Sequence, residues 1–225
     1  MGELTWLGHA AVLIKLKDKS ILIDPMIKGN PKFPIRLEDL REVNIVCVSH
    51  DHYDHLGDSI EILHKIKNAK MFASFDLSQW LAQEYKVDQS RFIPANIGGF
   101  INEDEVRLAL TPAVHSSSHS DPNGIIVSDG EITIYHAGDT WVFGDMKLIG
   151  EIYKPTYALL PIGGRFTMNP KDAVYALELI RPKVAIPIHY NTWDLIKVNE
   201  NEFKELAAKK GFDVRILKPG ESIKL

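Results

Sequence analysis

A single cysteine, Cys47, stands among 225 residues, so no internal disulfide can form. It lies inside the apolar run Val43-Asn44-Ile45-Val46-Cys47-Val48, which predicts a buried, inert thiol in a reducing, cytoplasmic compartment. No apolar run reaches the ~18 residues of a membrane span, and Asp18 interrupts the first apolar region early. The opening residues Met1-Gly2-Glu3-Leu4-Thr5-Trp6 lack the charged and apolar blocks of a signal peptide. Basic tracts are missing too. With a net charge of −4, neither a nucleic acid nor a membrane surface would be drawn by the overall field. Internal repeats and low-complexity linkers are also absent. What is present is 45% hydrophobic content, enough for a substantial core in one domain, expected to run over 1–225.

Short apolar runs predict strands over Leu4–Leu7, Ala11–Leu16 and Ser20–Ile23, then over 43–48, Met71–Ser74, Arg91–Pro94 and Val106–Leu110. Ile125–Val127 and Glu131–Tyr135 should form a hairpin around Asp129-Gly130, a pair suited to a type I′ turn. Tyr157–Leu160, Val184–Ile188, Val214–Leu217 and Ser222–Leu225 complete the strands. Asp58–Lys67 reads as a helix whose stripe is Ile60, Leu63 and Ile66, with His64 off the stripe and in solvent. A second helix passes through Trp80, Leu81 and Tyr85. Asn169-Pro170 supplies an N-cap and a first-turn proline for a third, through Ala173, Leu177 and Ile180. Asn199 and Glu202 have capping-box spacing for the last helix, which Gly211 closes. Strand meanders between helices favour mixed sheets over a doubly wound parallel one.

The densest chemistry is Ser49-His50-Asp51-His52-Tyr53-Asp54-His55, directly after the run that ends at Val48. His50 and His52, two apart in extended geometry, point the same way and can clamp one cation. Asp54 and His55, one turn on, can serve a neighbouring cation. The bland alternative is a polar loop, but loops rarely concentrate imidazole and carboxylate in this way.

His50-x-His52-x-Asp54-His55 resembles the signature of the metallo-β-lactamase superfamily of binuclear metallohydrolases. The later ligands of that family match His115, Asp139 in His136-Ala137-Gly138-Asp139-Thr140, and His189. Each follows a strand-like run, so distant residues could converge on one edge of a sheet sandwich. The resemblance implies an α/β fold, an αββα four-layer sandwich of two mixed sheets flanked by helices. It places a first metal on His50, His52 and His115, a second on Asp54, His55 and His189, and Asp139 as a bridge between them. Two divalent cations would lower the pKa of a bridging water and polarise the scissile bond. Zinc is the default with this cysteine-free ligand set, and manganese is the rival. His52 departs from the di-iron redox branch, which typically carries a carboxylate there; this argues against an oxidoreductase.

Other polar residues carry expectations of their own. His9 follows Gly8 between the first two strands and could face substrate as a general acid with a pKa near 6.5; the alternative is a half-buried His on a backbone carbonyl. His119, after Ser116-Ser117-Ser118, could face the pocket, with a solvated loop His as the alternative. Asp54 is expected to have a catalytic as well as a ligating role. His136 should orient a ligand, Arg165 could hold an anionic group, with a surface or structural Arg as the alternative, and Asp51 and Tyr53, alternating away from the ligand side, should be structural. The serines match no nucleophile elbow.

A finer resemblance, carried by Trp6-Leu7-Gly8-His9-Ala10, His136–Thr140 and Pro161-Ile162-Gly163-Gly164, is to a small bacterial and archaeal group of metal-dependent hydrolases. That group sits near ascorbate-6-phosphate lactonase and N-acylphosphatidylethanolamine phospholipase D. The 50 positions from Asp139 to His189 leave no room for the inserted domain of the RNA-processing branch. Two dications less two carboxylates and a hydroxide leave the site near +1, which favours an anionic substrate. The expectation is therefore a binuclear hydrolase of a small anionic ester, a phosphodiester or a phosphorylated lactone. A nuclease and a non-enzymatic metal-binding scaffold are the alternatives.

Overall fold

The computed structural model describes residues 2–40 and 42–225; Met1, the first residue of the opening hexapeptide, lies outside them. The first half of the chain forms β1 (Glu3–Trp6), β2 (Val12–Leu16), β3 (Lys19–Ile23), β4 (Ile45–Cys47), α1 (Tyr53–Leu56), α2 (Ser59–Lys65), β5 (Lys70–Ser74), α3 (Phe75–Tyr85) and β6 (Phe92–Ala95). The second half forms β7 (Ile101–Glu103), β8 (Val106–Pro112), β9 (Asn123–Ser128), β10 (Thr133–His136), α4 (Met146–Tyr153), β11 (Tyr157–Pro161), α5 (Pro170–Ile180), β12 (Val184–Ile188), α6 (Glu200–Lys209), β13 (Asp213–Val214) and β14 (Ser222–Lys224).

Among the described residues the strands pair into two sheets of seven, ordered β14-β1-β2-β3-β4-β5-β6 and β13-β12-β11-β10-β9-β8-β7. Each sheet is mixed in the same way. From β14 to β3 and from β7 to β10 the neighbours are antiparallel; from β3 to β6 and from β10 to β13 they are parallel. The two halves thus repeat one topology without an evident sequence repeat.

Side-chain alternation explains the layers. Ile45 and Cys47 of β4, Ile21 and Ile23 of β3 and Phe72 of β5 turn to the core shared with the second sheet. Val46, Leu22, Met71 and Ala73, one position out of phase, pack instead with Ile62 and Leu63 of α2 and Leu77 and Leu81 of α3. A strand covered on both faces must be apolar throughout, hence the continuous runs rather than polar–apolar alternation. The second sheet is backed by α4, α5 and α6 through Met146, Ile149, Ala173, Leu177 and Phe203. The architecture is the expected αββα sandwich. Cys47 is buried and free, and His64 is exposed, both as expected.

Several local expectations change. The Asp129-Gly130 connection is not type I′, because only Gly130 has positive φ (93°). Asp129 instead accepts the amides of Glu131 and Ile132 on its own side chain, at 3.0 and 2.8 Å, and so holds a longer loop. Asn169 caps α5 in a full capping box with Asp172, whereas Asn199 caps α6 through the amide of Asn201 without help from Glu202. The strand expected over Val214–Leu217 reduces to β13. α1, α4 and β7 were not expected.

Candidate metal centre

Every residue of the expected ligand set leaves the end of a strand or the short turn beyond it. The parallel register that sets Ile23 beside Cys47 brings Asp24 and Ser49 together at one sheet edge. There the Asp24 amide donates to the Cys47 carbonyl (2.9 Å), and the Ser49 amide and hydroxyl donate to the Asp24 carboxylate (2.8 and 2.7 Å). α1, a single turn starting just after His52, then throws Asp54 and His55 inward. The second sheet contributes His115 after β8, Asp139 after β10 and His189 after β12. Gly138 makes the Asp139 turn possible: its φ is +61°, and a Cβ there would lie 2.6 Å from the Asn123 carbonyl. The Asn123 amide in turn donates to the Ser49 carbonyl (3.0 Å), linking the two sheets beside the site.

The hydrogen bonds fix which nitrogen of each ring faces inward. Asp24 is fully buried and only accepts, so His55 Nδ1 donates to it (2.7 Å), and Nε2 is the nitrogen that faces the cluster and can ligate once its proton is displaced. Ser49 gives its hydroxyl proton to Asp24 and accepts from His50 Nδ1 (3.0 Å), so His50 Nε2 is a free acceptor. One carboxylate therefore orients two imidazoles. His52 turns Nδ1 inward, 3.0 Å from His50 Nε2 and 3.3 Å from His115 Nε2. On the other side, Asp139 reaches His55 Nε2 (3.2 Å), His189 Nε2 (3.2 Å) and His115 Nε2 (3.5 Å), and Asp54 lies 3.5 Å from His189 Nε2.

These approaches fit a cation better than they fit each other. His55 Nε2, His189 Nε2 and Asp139 Oδ1 are buried without a hydrogen bond, since their close contacts are not aligned as donors and acceptors. Donor atoms gather in overlapping groups, with His50, His52 and His115 in one, His9, Asp54, His55 and His189 in another, and Asp139 joined to His50 and His55. Buried polar atoms left unpaired cost ~1–3 kcal/mol each, so a convergent set of them is a strong argument for a ligand. Protonation follows the same logic. Burial would depress His189, but Asp139 and Asp54 hold it up to about 9. Burial likewise acts against a charged His55, and Asp139 and Asp24 push it well above the ordinary value. Burial would raise Asp139 and Asp54, yet the facing imidazoles hold both well below the carboxylate range. Burial takes His50, with no carboxylate bonded to it, down to about 3. The acidic side of the cluster thus carries protons that a divalent cation would replace.

Two expected catalytic residues are placed differently. His9 is not among the residues that line the cleft over the cluster. It is buried, at φ +54°, with Nε2 donating to Asp54 (3.0 Å) and Nδ1 accepting from the Thr192 hydroxyl (2.9 Å). Burial, with the nearby His189, lowers its pKa to about 4 rather than the 6.5 expected of a general acid. Its carbonyl also accepts from the His189 amide and the Trp6 indole, both at 2.9 Å. Gly8 does form the expected tight turn there, at φ +88°. His9 thus bonds Asp54 through its ring and the turn that carries His189 through its carbonyl. His119 points elsewhere as well: its ring stacks on Trp80 of α3, with centroids 3.6 Å apart, and Nδ1 bonds Asp51. Asp51 is structural, as expected, and binds the Ser117 hydroxyl (2.6 Å) and the amides of Ser118 and His119 (2.9 Å each), anchoring the loop that begins at His115. His136 accepts from the Gly138 amide (3.1 Å) and donates to the Ala10 carbonyl (2.8 Å), so it holds the turn carrying Asp139. Arg165 is exposed, lies over Phe166 and is not among the residues that line the cleft over the cluster.

A cleft of about 590 Å³ opens over the cluster, lined by His52, Tyr53, Asp54, His115, Ser116, Asp139, Phe166, His189, Trp193 and Leu195. Tyr53, expected to be structural, is exposed on its wall. A larger cleft, about 700 Å³ near Lys147, Glu151, Lys154, Glu178 and Lys183, lies on the α4–α5 side and shares no residue with the cluster.

The profile of a family described as the β-lactamase superfamily domain matches residues 19–190, which takes in the whole cluster except His9. The chain belongs to the metallo-β-lactamase superfamily. Within this superfamily it is 58% identical to a UPF0173 metal-dependent hydrolase of Sulfolobus acidocaldarius and 57% identical to one of Metallosphaera sedula, each over the full length of both chains. The chain is thus a member of a metal-dependent hydrolase family of this superfamily. Among solved structures, Igni18, described as a novel metallo hydrolase from Ignicoccus hospitalis, superposes with a TM-score of 0.90 at 40% identity, covering 99% of this chain and 97% of that one.

Proposed function

We infer that this metallo-β-lactamase superfamily member is a binuclear hydrolase. His50, His52 and His115 would hold one divalent cation, Asp54, His55 and His189 a second, and Asp139 both. The observation that carries this reading is the Asp24–Ser49 network, which turns the Nε2 atoms of His50 and His55 into one buried cluster. Zinc is the first choice, and manganese is compatible with two carboxylates among imidazoles.

Two such cations would acidify a water shared between them and polarise the bond under attack. The chain's own residues supply the rest. Asp24 and Ser49 keep two imidazoles in the ligating tautomer, and His9 and Thr192 hold Asp54. Asp54 is nearly buried, lines the cleft, and stays ionised, as a ligand at the cleft floor requires.

The substrate is read as an ester with at most one negative charge, placed at the scissile group. A site near +1 favours such charge. Among the described residues no Lys or Arg lines the cleft itself, and Arg165, over the wall residue Phe166, is solvent-exposed, so a second, remote phosphate would find only a screened partner. A phosphodiester or simple ester is therefore preferred over a phosphorylated lactone, with the whole chain acting as one hydrolase domain. The test is a panel of phosphodiesters, lactones, thioesters, β-lactams and RNA with the zinc- and manganese-loaded protein. Turnover of a simple ester or phosphodiester that chelation abolishes supports the reading. A preference for RNA or for a lactone phosphate would contradict it.

A further inference from the structure

The cleft has a polar floor and apolar walls. Tyr53, Phe166 and Leu195 line it and remain 71%, 50% and 58% exposed. Trp193, half-buried, packs 4.8 Å from the His9 ring and stands 6.1 Å from Tyr53 at a 40° tilt. Large apolar side chains gathered at one concave place are uncommon on a free surface and mark binding.

These walls are also held rigid. Trp193 and Leu195 lie only a few residues after His189, in a loop closed by the Asn191 amide to the Ile196 carbonyl (2.9 Å) and the Val198 amide to the Asn191 side chain (2.8 Å). Ile196 turns into the core at 0% exposure, which forces its neighbour Leu195 outward over the cleft. Phe166 comes from a second loop, tied through the Met168 amide to the Thr140 carbonyl (3.2 Å) beside Asp139. Candidate ligands and walls thus share the same turns, so the distance from floor to wall is fixed by backbone hydrogen bonds. A preformed apolar wall loses little on binding and selects by shape.

We propose that Phe166, Trp193 and Leu195, with Tyr53, form a specificity pocket for an uncharged, flat apolar arm of the substrate, of the size of a phenyl ring. This deepens and rests on the proposed hydrolase reading: the ester group meets the polar floor and its aromatic or bulky apolar substituent lies against the walls. The cleft volume of about 590 Å³ suits a small molecule rather than a polymer.

The test uses two inert probes on the metal-loaded chain, methylphosphonate and phenylphosphonate, with metal content measured beforehand. Calorimetry gives both affinities, and tryptophan fluorescence gives contact with Trp193. Phenylphosphonate should bind about tenfold more tightly, the gain expected from partly burying one ring. In Phe166→Ala/Leu195→Ala, both at exposed positions, that gain should fall below about threefold while methylphosphonate affinity is unchanged. The fluorescence change with phenylphosphonate should disappear in Trp193→Phe. Equal binding of the two probes, or a gain that survives the double substitution, would overturn the pocket and leave the metal reading intact. A change in sedimentation of the double variant without a change in ligand preference would also overturn it, since the walls would then cover a second copy of the chain. Failure of a metal-loaded chain to bind either probe would remove both readings.

Discussion

Asp24 is the sharpest place to perturb the site, because it touches no proposed metal yet sets two ligands. Its carboxylate accepts from the Ser49 amide, the Ser49 hydroxyl and His55 Nδ1, at 2.8, 2.7 and 2.7 Å, with no solvent exposure. In Asp24→Asn, one amide oxygen can still accept from the Ser49 amide. The amide NH₂ then faces Ser49 Oγ and His55 Nδ1, where two acceptors are needed. The His55 ring can satisfy that donor only by moving its proton to Nε2, which blocks the nitrogen aimed at the cluster. Loss of such an orienting partner typically costs 10–100-fold in metal affinity, or about 1.4–2.8 kcal/mol. The weaker-binding step should fall by this amount, with a smaller effect at the His50, His52 and His115 group, because Ser49 still links Asp24 to His50. Asp24→Ala should be worse, leaving three buried donors unpaired at ~1–3 kcal/mol each, and should show as a large drop in unfolding free energy. Competition titration with a chromophoric chelator reads the affinities, and urea unfolding reads the stability. If Asp24→Asn bound both ions within threefold of the wild-type protein, the tautomer argument would be wrong.

Asp51→Ala should free the Ser117–His119 loop, weaken binding at the His115 side by about 10-fold and leave the other ion in place, as metal titration would show. His9→Ala should weaken the Asp54 side and lower kcat about equally for good and poor leaving groups, because His9 acts through Asp54; a loss confined to poor leaving groups would restore it as a general acid. Asp129→Ala should cost about 1.5–3 kcal/mol at pH 7, the worth of hydrogen bonding to a charged acceptor. Burial would raise the Asp129 pKa, but the amides of Ile132 and Glu131, with Lys17, hold it below 3.8 in the folded chain. Its contribution is therefore fully present above about pH 4 and is lost as pH falls through the lowered folded value, so the stability gap between wild type and variant should close in acid. A gap independent of pH would contradict this.

The strands were readable because both faces of each central strand are covered, which leaves unbroken apolar runs such as 43–48. α4 was not readable: its N-cap Asp145 makes no side-chain capping bond, and the segment after Trp141 offers no strong start signal. α1 and β7 are too short, at four and three residues, to show a period. The seven expected ligands stood out because four crowd into one stretch after a single apolar run and the other three each follow a run of their own, and the fold brings all of them together. Asp24 gave no comparable signal, since its partner His55 lies 31 positions away, and Thr192 meets His9 across 183. Adjacency misled at His119, where the serines after His115 suggested the pocket but Trp80, on α3, takes the ring. The cleft walls come from α1 and two loops, and no local pattern links Tyr53, Phe166 and Trp193.

Metal stoichiometry tests the central claim most directly. The chain, stripped with chelator and titrated with zinc and separately with manganese, should bind two ions per chain by calorimetry and elemental analysis. Asp139→Ala should impair both ions, His50→Ala mainly the first and His189→Ala mainly the second. A wild-type chain that binds no more than one ion, or an Asp139→Ala chain that still binds two with wild-type affinity, would contradict the binuclear assignment.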